Sequence, residues 1–445
     1  MENIKRVTFT SKIGVVAAAA GSAVGLGNIW RFPSQTADGG GAIFIFVYIA
    51  CILFFGIPVM MSEFIIGRSA RANTAGAFHI LAPGTQWKWI GRLGVLTGFI
   101  IMGFYMVVAG WTLIYFLQSI TGNLHTVNDF SIHFTNILND PLKQSVWMIV
   151  FSFLTSFFIL SGVRKGIEKS AKIFMPILFL LLIILAIRSI TLEGAIQGLN
   201  FLFKPNMEHV KQTVFLDAMG QAFFSLSIGM GCLITYGSYF NKSINLTKTA
   251  VQVSILDTLV AVLSGVIIFP AAFALTSSPD TIVDELVTGG PGLLFITIPE
   301  LLNQMPASMA WSALFFCLLA LAALTSTISL MEVVTVYLFE EYKISRRKST
   351  IFVTLGVIIL GIISSYSSVF FNILDMASAK YMLPIGGLFI SIFVGWYLKQ
   401  QLVTAQITNE GELRFGVGFI KFYIFLLRFI APIAILSIFV YGLTG

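Results

Sequence analysis

Charge is scarce in this chain of 445 residues: Asp, Glu, Lys and Arg together make up 11% of it, where soluble domains carry about 25%. That scarcity argues against a soluble enzyme of this length. The 57% hydrophobic content excludes a disordered one. Cysteine is nearly absent. Cys51, Cys232 and Cys317 all lie inside apolar runs, with no C-x-x-C spacing, so no disulfide framework is expected. The four histidines (His79, His125, His133, His209) are scattered, which removes a histidine-based metal centre. H-E-x-x-H, G-x-S-x-G and paired intramembrane aspartates are missing too, and an enzyme would need such a constellation. The net charge of +7 would suggest nucleic acid in a soluble protein. Here the basic residues sit between apolar runs, so the partner read from them is a lipid bilayer, and no nucleic acid or obligate protein partner is expected.

What the chain has is long apolar stretches. A bilayer core of about 30 Å needs about 20 apolar residues per helix. Eleven spans are read at roughly 13–38, 41–66, 89–121, 145–161, 168–190, 212–239, 246–275, 306–340, 350–370, 373–398 and 418–443. The segment 276–305 is too polar to span and too apolar for a free linker, so a hairpin folded onto the outer face is expected. The first apolar stretch runs on through Gly21–Trp30 without a small-residue cleavage site, so no removable leader is expected. With the N-terminus inside, 20 of the 27 Lys and Arg fall on inner segments, which predicts a cytoplasmic N-terminus and, after eleven spans, an outer C-terminus.

Two spans carry clusters of small and polar residues. The first has Ala20-Gly21-Ser22-Ala23-Val24-Gly25-Leu26-Gly27-Asn28, the sixth Phe224-Ser225-Leu226-Ser227-Ile228-Gly229-Met230-Gly231. Glycine costs about 1 kcal/mol in a helix interior relative to alanine. Unwound backbone at membrane depth is tolerated only where it lines a cavity. One such cluster alone reads as close helix packing. Two, five spans apart, point to broken helices at corresponding places in two halves, the mark of a transporter built from inverted repeats.

The residues Gly21-Ser22-Ala23-Val24-Gly25-Leu26-Gly27-Asn28-Ile29-Trp30-Arg31-Phe32-Pro33 resemble the signature of the neurotransmitter:sodium symporters, the family with the bacterial leucine-transporter (LeuT) fold. Gly39-Gly40-Gly41-Ala42, Gly56-Ile57-Pro58 with Glu63 and Gly67-Arg68, Lys165-Gly166-Ile167-Glu168-Lys169, Gly220–Ser227 and Thr325-Ser326 continue the likeness, which runs from about residue 5 to 398. The resemblance implies an all-α integral membrane protein: one domain over 1–445, a 5+5 inverted repeat (13–190 and 212–398) with discontinuous first and sixth helices, and an eleventh helix at 418–443. It implies a sodium-coupled amino-acid symporter working by alternating access in a bacterial inner membrane, not an enzyme.

By the same resemblance the substrate carboxylate meets the amides of Leu26 and Gly27 and the Tyr105 hydroxyl, and the ammonium meets carbonyls near Ala23, Phe224, Ser225 and Ser227. The side-chain pocket is formed by Ser22, Ile101, Tyr105, Phe224, Ser227, Met230, Ser326 and Leu330. On spacing alone Met230 and Leu330 read as ordinary core. The pocket has no ionisable group and its apolar walls discriminate weakly, so hydrophobic or aromatic L-amino acids are expected. Gly25 stands where the monoamine branch has Asp, which favours a substrate that brings its own carboxylate. Two Na+ sites are implied. One takes Ala23, Asn28, Ser225 and Asp257, the other Gly21, Val24, Ala322, Thr325 and Ser326, since hard cations want oxygen ligands. Chloride-dependent relatives bind the anion near residues matching Tyr48, Gln221, Ser225 and Ala261. Ala261 cannot ligate an anion and Asp257, one turn earlier, brings its own negative charge, so no chloride is expected, and Asp257 is a candidate for proton uptake on the return step.

The gates implied are Arg31 with Asp375 on the outside and Arg6 with Glu340 on the inside, with Tyr239 nearby and Phe9 beneath. Tyr105 and Phe224 lid the substrate, and Lys380 is a possible competitor for Asp375. Glu63 is read as bracing both broken spans. Gly166 and Pro176 weaken the inner end of the fifth span, which either unwinds there or kinks. Transport of small amino acids such as glycine or proline, and a transport-silent amino-acid sensor on the same fold, stay open alternatives.

Overall fold

The computed structural model describes residues 6–206, 211, 213–276, 282–288 and 290–444. Lys5 and His209 lie outside the described residues. The described residues form helices and no strand. Among the described residues nine helices are long and apolar enough to cross a membrane: Ala42–Ala70, Lys88–Ile120, Pro141–Leu160, Val163–Ile190, Leu246–Leu275, Ser308–Glu341, Arg346–Tyr366, Ser368–Tyr397 and Val417–Val440. A tenth is bent by 57° where Lys12–Ala23 meets Gly27–Asp38. The sixth span divides into Val214–Ser225 and Cys232–Gly237, each too short to cross alone. Among the described residues the first and sixth spans are thus broken where the glycine and serine clusters stand.

Local chemistry sets the helix starts. Ser11, Asn73, Asp129, Asp140, Asn245 and Ser345 each stand at an N-cap, and their side chains accept a backbone N–H of the first turn. The third and eighth spans, 33 and 34 residues long, pack along each other at the centre of the bundle. Around them the apolar surface turns outward. Phe153, Phe157, Leu180, Ile255, Phe352, Ile359 and Phe422 are exposed, as lipid-facing side chains must be.

Four short helices lie where the sequence reading placed only connections: Thr74–Leu81, Phe130–Leu138, Ala195–Phe203 and Gln400–Ile407. The segment read as an outer hairpin holds Ile282–Thr288, Leu293–Thr297 and Ile298–Asn303. It folds back onto the bundle: Ser34 donates to the Val287 carbonyl (3.1 Å) and Tyr115 to that of Phe295 (2.7 Å).

Candidate substrate and sodium site

The two breaks face each other across the bundle centre. In the first, the helix ends at Ala23 and backbone groups find side-chain partners. Gly25 N–H donates to Asn28 Oδ1 (3.0 Å) and Leu26 N–H to the Tyr105 hydroxyl (3.1 Å). In the second, Ser227, Gly229 and Gly231 adopt φ of 55°, 87° and 78°, the left-handed region that Ser enters only under constraint. Ser227 Oγ donates to the Ser22 carbonyl across the gap (2.8 Å). Glu63 Oε1 accepts the Gly229 N–H (2.7 Å), while Oε2 is buried without a partner.

A tight cavity of about 40 Å³ lies between the breaks. Eleven of the twelve residues expected to hold substrate line it: Ser22, Ala23, Gly27, Ile101, Tyr105, Phe224, Ser225, Ser227, Met230, Ser326 and Leu330. Leu26 does not line it. Its side chain is buried and its amide is occupied by Tyr105. Gly25, Asn28 and Cys232 complete the wall. Sequence reasoning passed over Cys232 because a lone thiol in an apolar run carries no signal of its own.

Beside the cavity Asp257 is fully buried. Asn28 Nδ2 donates to its Oδ1 (2.8 Å), and Ser225 Oγ (2.8 Å) and the Tyr48 hydroxyl (3.3 Å) to its Oδ2. Among the described residues no Lys, Arg or His pairs with it. A buried carboxylate without a cationic partner is costly, and oxygen donors around it are the chemistry of a hard cation, so the residues fit sodium. Gln221 and Ala261, matched to a chloride site, are not bonded to this cluster. Gln221 donates to the Gly27 carbonyl (3.2 Å) with its own oxygen unpartnered.

The second expected set also converges. Thr325 Oγ1 donates to the Ala322 carbonyl (3.0 Å) and Ser326 Oγ to that of Val24 (3.1 Å). A Cβ at Gly21 would lie 3.5 Å from Thr325.

At the end of the bundle carrying the N-terminus, Arg6 pairs with Glu340, donates to Ser238 Oγ (2.9 Å) and stacks over Tyr239 at 4.9 Å. The Tyr239 hydroxyl turns away from this pair to Glu332 (2.7 Å), which Arg346 grips with two bonds of 3.0 and 2.5 Å. The Glu332–Arg346 pair was missed, though a carboxylate inside the eighth span is a signal of function. Phe9 packs edge-on against Tyr236 and Tyr239. Nearby, Arg68 bonds the Ile244 carbonyl (2.6 Å) and Gln406 Oε1 (2.6 Å), and Lys242 holds the exposed Glu410 carboxyl below its ordinary range by a direct hydrogen bond.

Of three further expectations, the one for Glu63 is corrected. Arg31 and Asp375 lie close enough to act on each other's charge but make no direct ion pair among the described residues, and the Arg31 guanidinium is stacked over the Phe224 ring at 4.9 Å; Lys380 does not pair with Asp375 either. Glu63 braces the sixth break and bonds nothing in the first, since it lies on the face of the second span that packs against Cys232–Gly237. The fifth span stays wound through Pro176, with a widened turn at Val163–Glu168. Gly166 there serves close packing: a Cβ would stand 1.9 Å from the Phe158 carbonyl oxygen.

Comparison with known proteins agrees with this geometry. The profile of the Sodium:neurotransmitter symporter family matches residues 6–131 and 130–445. A sodium-dependent transporter of Bacillus subtilis, YhdH, is 33% identical, the match covering 99% of this chain and 98% of that one. A sodium-dependent transporter of Haemophilus influenzae is 33% identical with 99% of both chains covered. The crystal structure of MhsT in complex with L-phenylalanine aligns with a TM-score of 0.88 at 42% identity, over 98% of this chain and all of that one (100%). The chain belongs to the sodium:neurotransmitter symporter family: it is a multi-pass, all-α, sodium-dependent symporter with the LeuT fold.

Proposed function

We propose that the protein carries hydrophobic and aromatic L-α-amino acids together with sodium, and without chloride, across a bacterial cytoplasmic membrane by alternating access. The observation that carries this reading is the crowding at Gly25. A Cβ there would stand 2.6 Å from Ser326 Oγ and 3.2 Å from the Tyr105 hydroxyl. A side chain at this position would have to displace Ser326 Oγ and crowd the Tyr105 hydroxyl, and Gly25 itself carries no carboxylate, so the substrate brings its own. The positive end of the half-helix opening at Gly27 faces that carboxylate. The Tyr105 oxygen already accepts from Leu26, which leaves its proton for the substrate. The ammonium goes to the carbonyls of Ala23, Phe224, Ser225 and Ser227. Ile101, Met230 and Leu330 meet the side chain, and the absence of a charged wall disfavours acidic and basic amino acids.

One cargo sodium is held by Asp257, Asn28, Ser225 and the Ala23 carbonyl, the second by Gly21, Val24, Ala322, Thr325 and Ser326. Asp257 supplies the negative charge that an anion would otherwise bring. The structural relative MhsT, solved in complex with L-phenylalanine, supports the substrate class. In this reading the halves 13–190 and 212–398 are inverted repeats, with the N-terminus cytoplasmic and the C-terminus outside.

The test is binding of radiolabelled tryptophan and leucine to the purified protein in sodium or potassium gluconate. Binding in sodium alone is expected. Binding that needs added chloride overturns the role given to Asp257, and binding of glycine or proline in their place overturns the substrate class.

A further inference from the structure

A second, larger void lies away from the substrate cavity, at the end of the bundle that carries the N-terminus. It is a groove of about 420 Å³ between the half-helix Lys12–Ala23, the fifth span and the seventh. Each of these elements brings one lysine to its wall: Lys12, Lys172 and Lys248. No acidic side chain is part of the wall. Lys172 is paired with Glu168 (2.6 Å), while Lys12 and Lys248 make no ion pair among the described residues. Deeper in, the wall becomes apolar with Phe179 and Leu256. The groove opens to the perimeter of the bundle, where Ile13 and Ile255 are 76% and 59% exposed. One residue breaks the apolar pattern. Gln252, one turn inward from Lys248 on the seventh span, is exposed on this wall. An amide facing hydrocarbon costs free energy unless something polar meets it.

A cationic rim, an isolated amide below it and an apolar interior open to lipid define the complement of one kind of molecule. We propose that this groove binds an anionic phospholipid of the leaflet at the N-terminal end. Its phosphate lies among Lys12, Lys172 and Lys248, its ester region meets Gln252, and an acyl chain lies along Phe179 and Leu256. Charge complementarity selects an anionic headgroup over a zwitterionic one, because basic side chains at a membrane surface attract anionic lipid and leave a zwitterionic lipid almost unaffected. The bound lipid joins the first half-helix to the fifth and seventh spans.

Native mass spectrometry of the full chain tests this, after exchange from mixed phosphatidylglycerol and phosphatidylcholine nanodiscs. The wild type is expected to keep one phosphatidylglycerol in preference to phosphatidylcholine. Lys12→Gln/Lys248→Gln should weaken that retention about thirtyfold, with an unchanged melting temperature in phosphatidylcholine alone to show that the variant is folded. Arg347→Gln/Lys348→Gln removes the same charge from exposed positions outside the groove and should leave retention unchanged. Equal retention of the two lipids by the wild type overturns the proposal. So does full retention by the groove variant, or an equal loss in the control variant, which would mean a general surface potential. The readout involves no amino acid, so failure of the substrate reading does not touch it.

Discussion

Asp257 concentrates the chemistry of the site in a single side chain. Both of its oxygens accept hydrogen bonds from Asn28, Ser225 and Tyr48, and no cationic side chain among the described residues neutralises it. Neutral donors orient the carboxylate but leave its charge in place, and an effective charge-burial cost of several kcal/mol remains for a cation to offset. Asp257→Asn keeps the shape and removes the charge. The sodium concentration for half-maximal substrate binding should rise about tenfold or more in that variant. A sodium titration of labelled substrate binding measures it, and an unchanged midpoint would show that the carboxylate is no ligand. At this scale the sequence was informative wherever a residue is out of place in a membrane. Asp257, Asn28 and Ser225 are polar groups in apolar spans, and they meet. Tyr48 was legible only through its likeness to chloride-site residues, yet its hydroxyl sits on Asp257. The stacking of Arg31 on Phe224 could not be seen in a string of residue types.

The break in the sixth span is where an element departs furthest from its regular form. Gly229 has φ of 87°, and a Cβ there would lie 2.6 Å from the Leu383 carbonyl oxygen in the tenth span. Left-handed backbone costs an L-residue roughly 1–2 kcal/mol, and overlap with a rigid carbonyl adds to it. Gly229→Ala should therefore lower the melting temperature and abolish sodium-dependent binding, since the same turn presents Ser225, Ser227 and Met230 to the cavity. Gly220→Ala is the control: a Cβ there meets only a methyl of Ile438 at 4.0 Å, and both properties should stay as in the wild type. Binding retained in Gly229→Ala would show that the turn tolerates a side chain. The two broken spans were readable because small residues cluster where helical continuity is weakest. At Pro176 the sequence left unwinding and kinking open, and the helix there is wound, since one lost backbone bond is tolerated where neighbouring spans hold the helix. The short helices such as Ala195–Phe203 fall below the length that an apolar-run reading detects.

Across the whole molecule the two ends of the substrate path are closed by different means. At the N-terminal end the closure is ionic and layered. Arg6 pairs with Glu340, Asn73 donates its backbone N–H to the same carboxylate (2.6 Å), and Thr10 N–H donates to Glu168 (2.8 Å). At the opposite end no ion pair joins Arg31 to Asp375, and the Phe224 ring covers the cavity. In the alternating-access reading proposed above, the charged end controls access from its side, and removing its central cation should open that side alone. Cys232 offers a readout, because it lines the cavity and is itself buried. In a Cys51→Ser/Cys317→Ser background, a membrane-impermeant maleimide should reach Cys232 slowly from the N-terminal side of sealed vesicles. Arg6→Ala should speed that labelling roughly tenfold, the equivalent of 1.4 kcal/mol in the closing equilibrium, and leave labelling from the other side unchanged or slower. Sodium with substrate should suppress the reaction by filling the cavity. If Arg6→Ala lowers the melting temperature while labelling from the N-terminal side stays slow, the Arg6–Glu340 pair holds the fold together and does not gate the path.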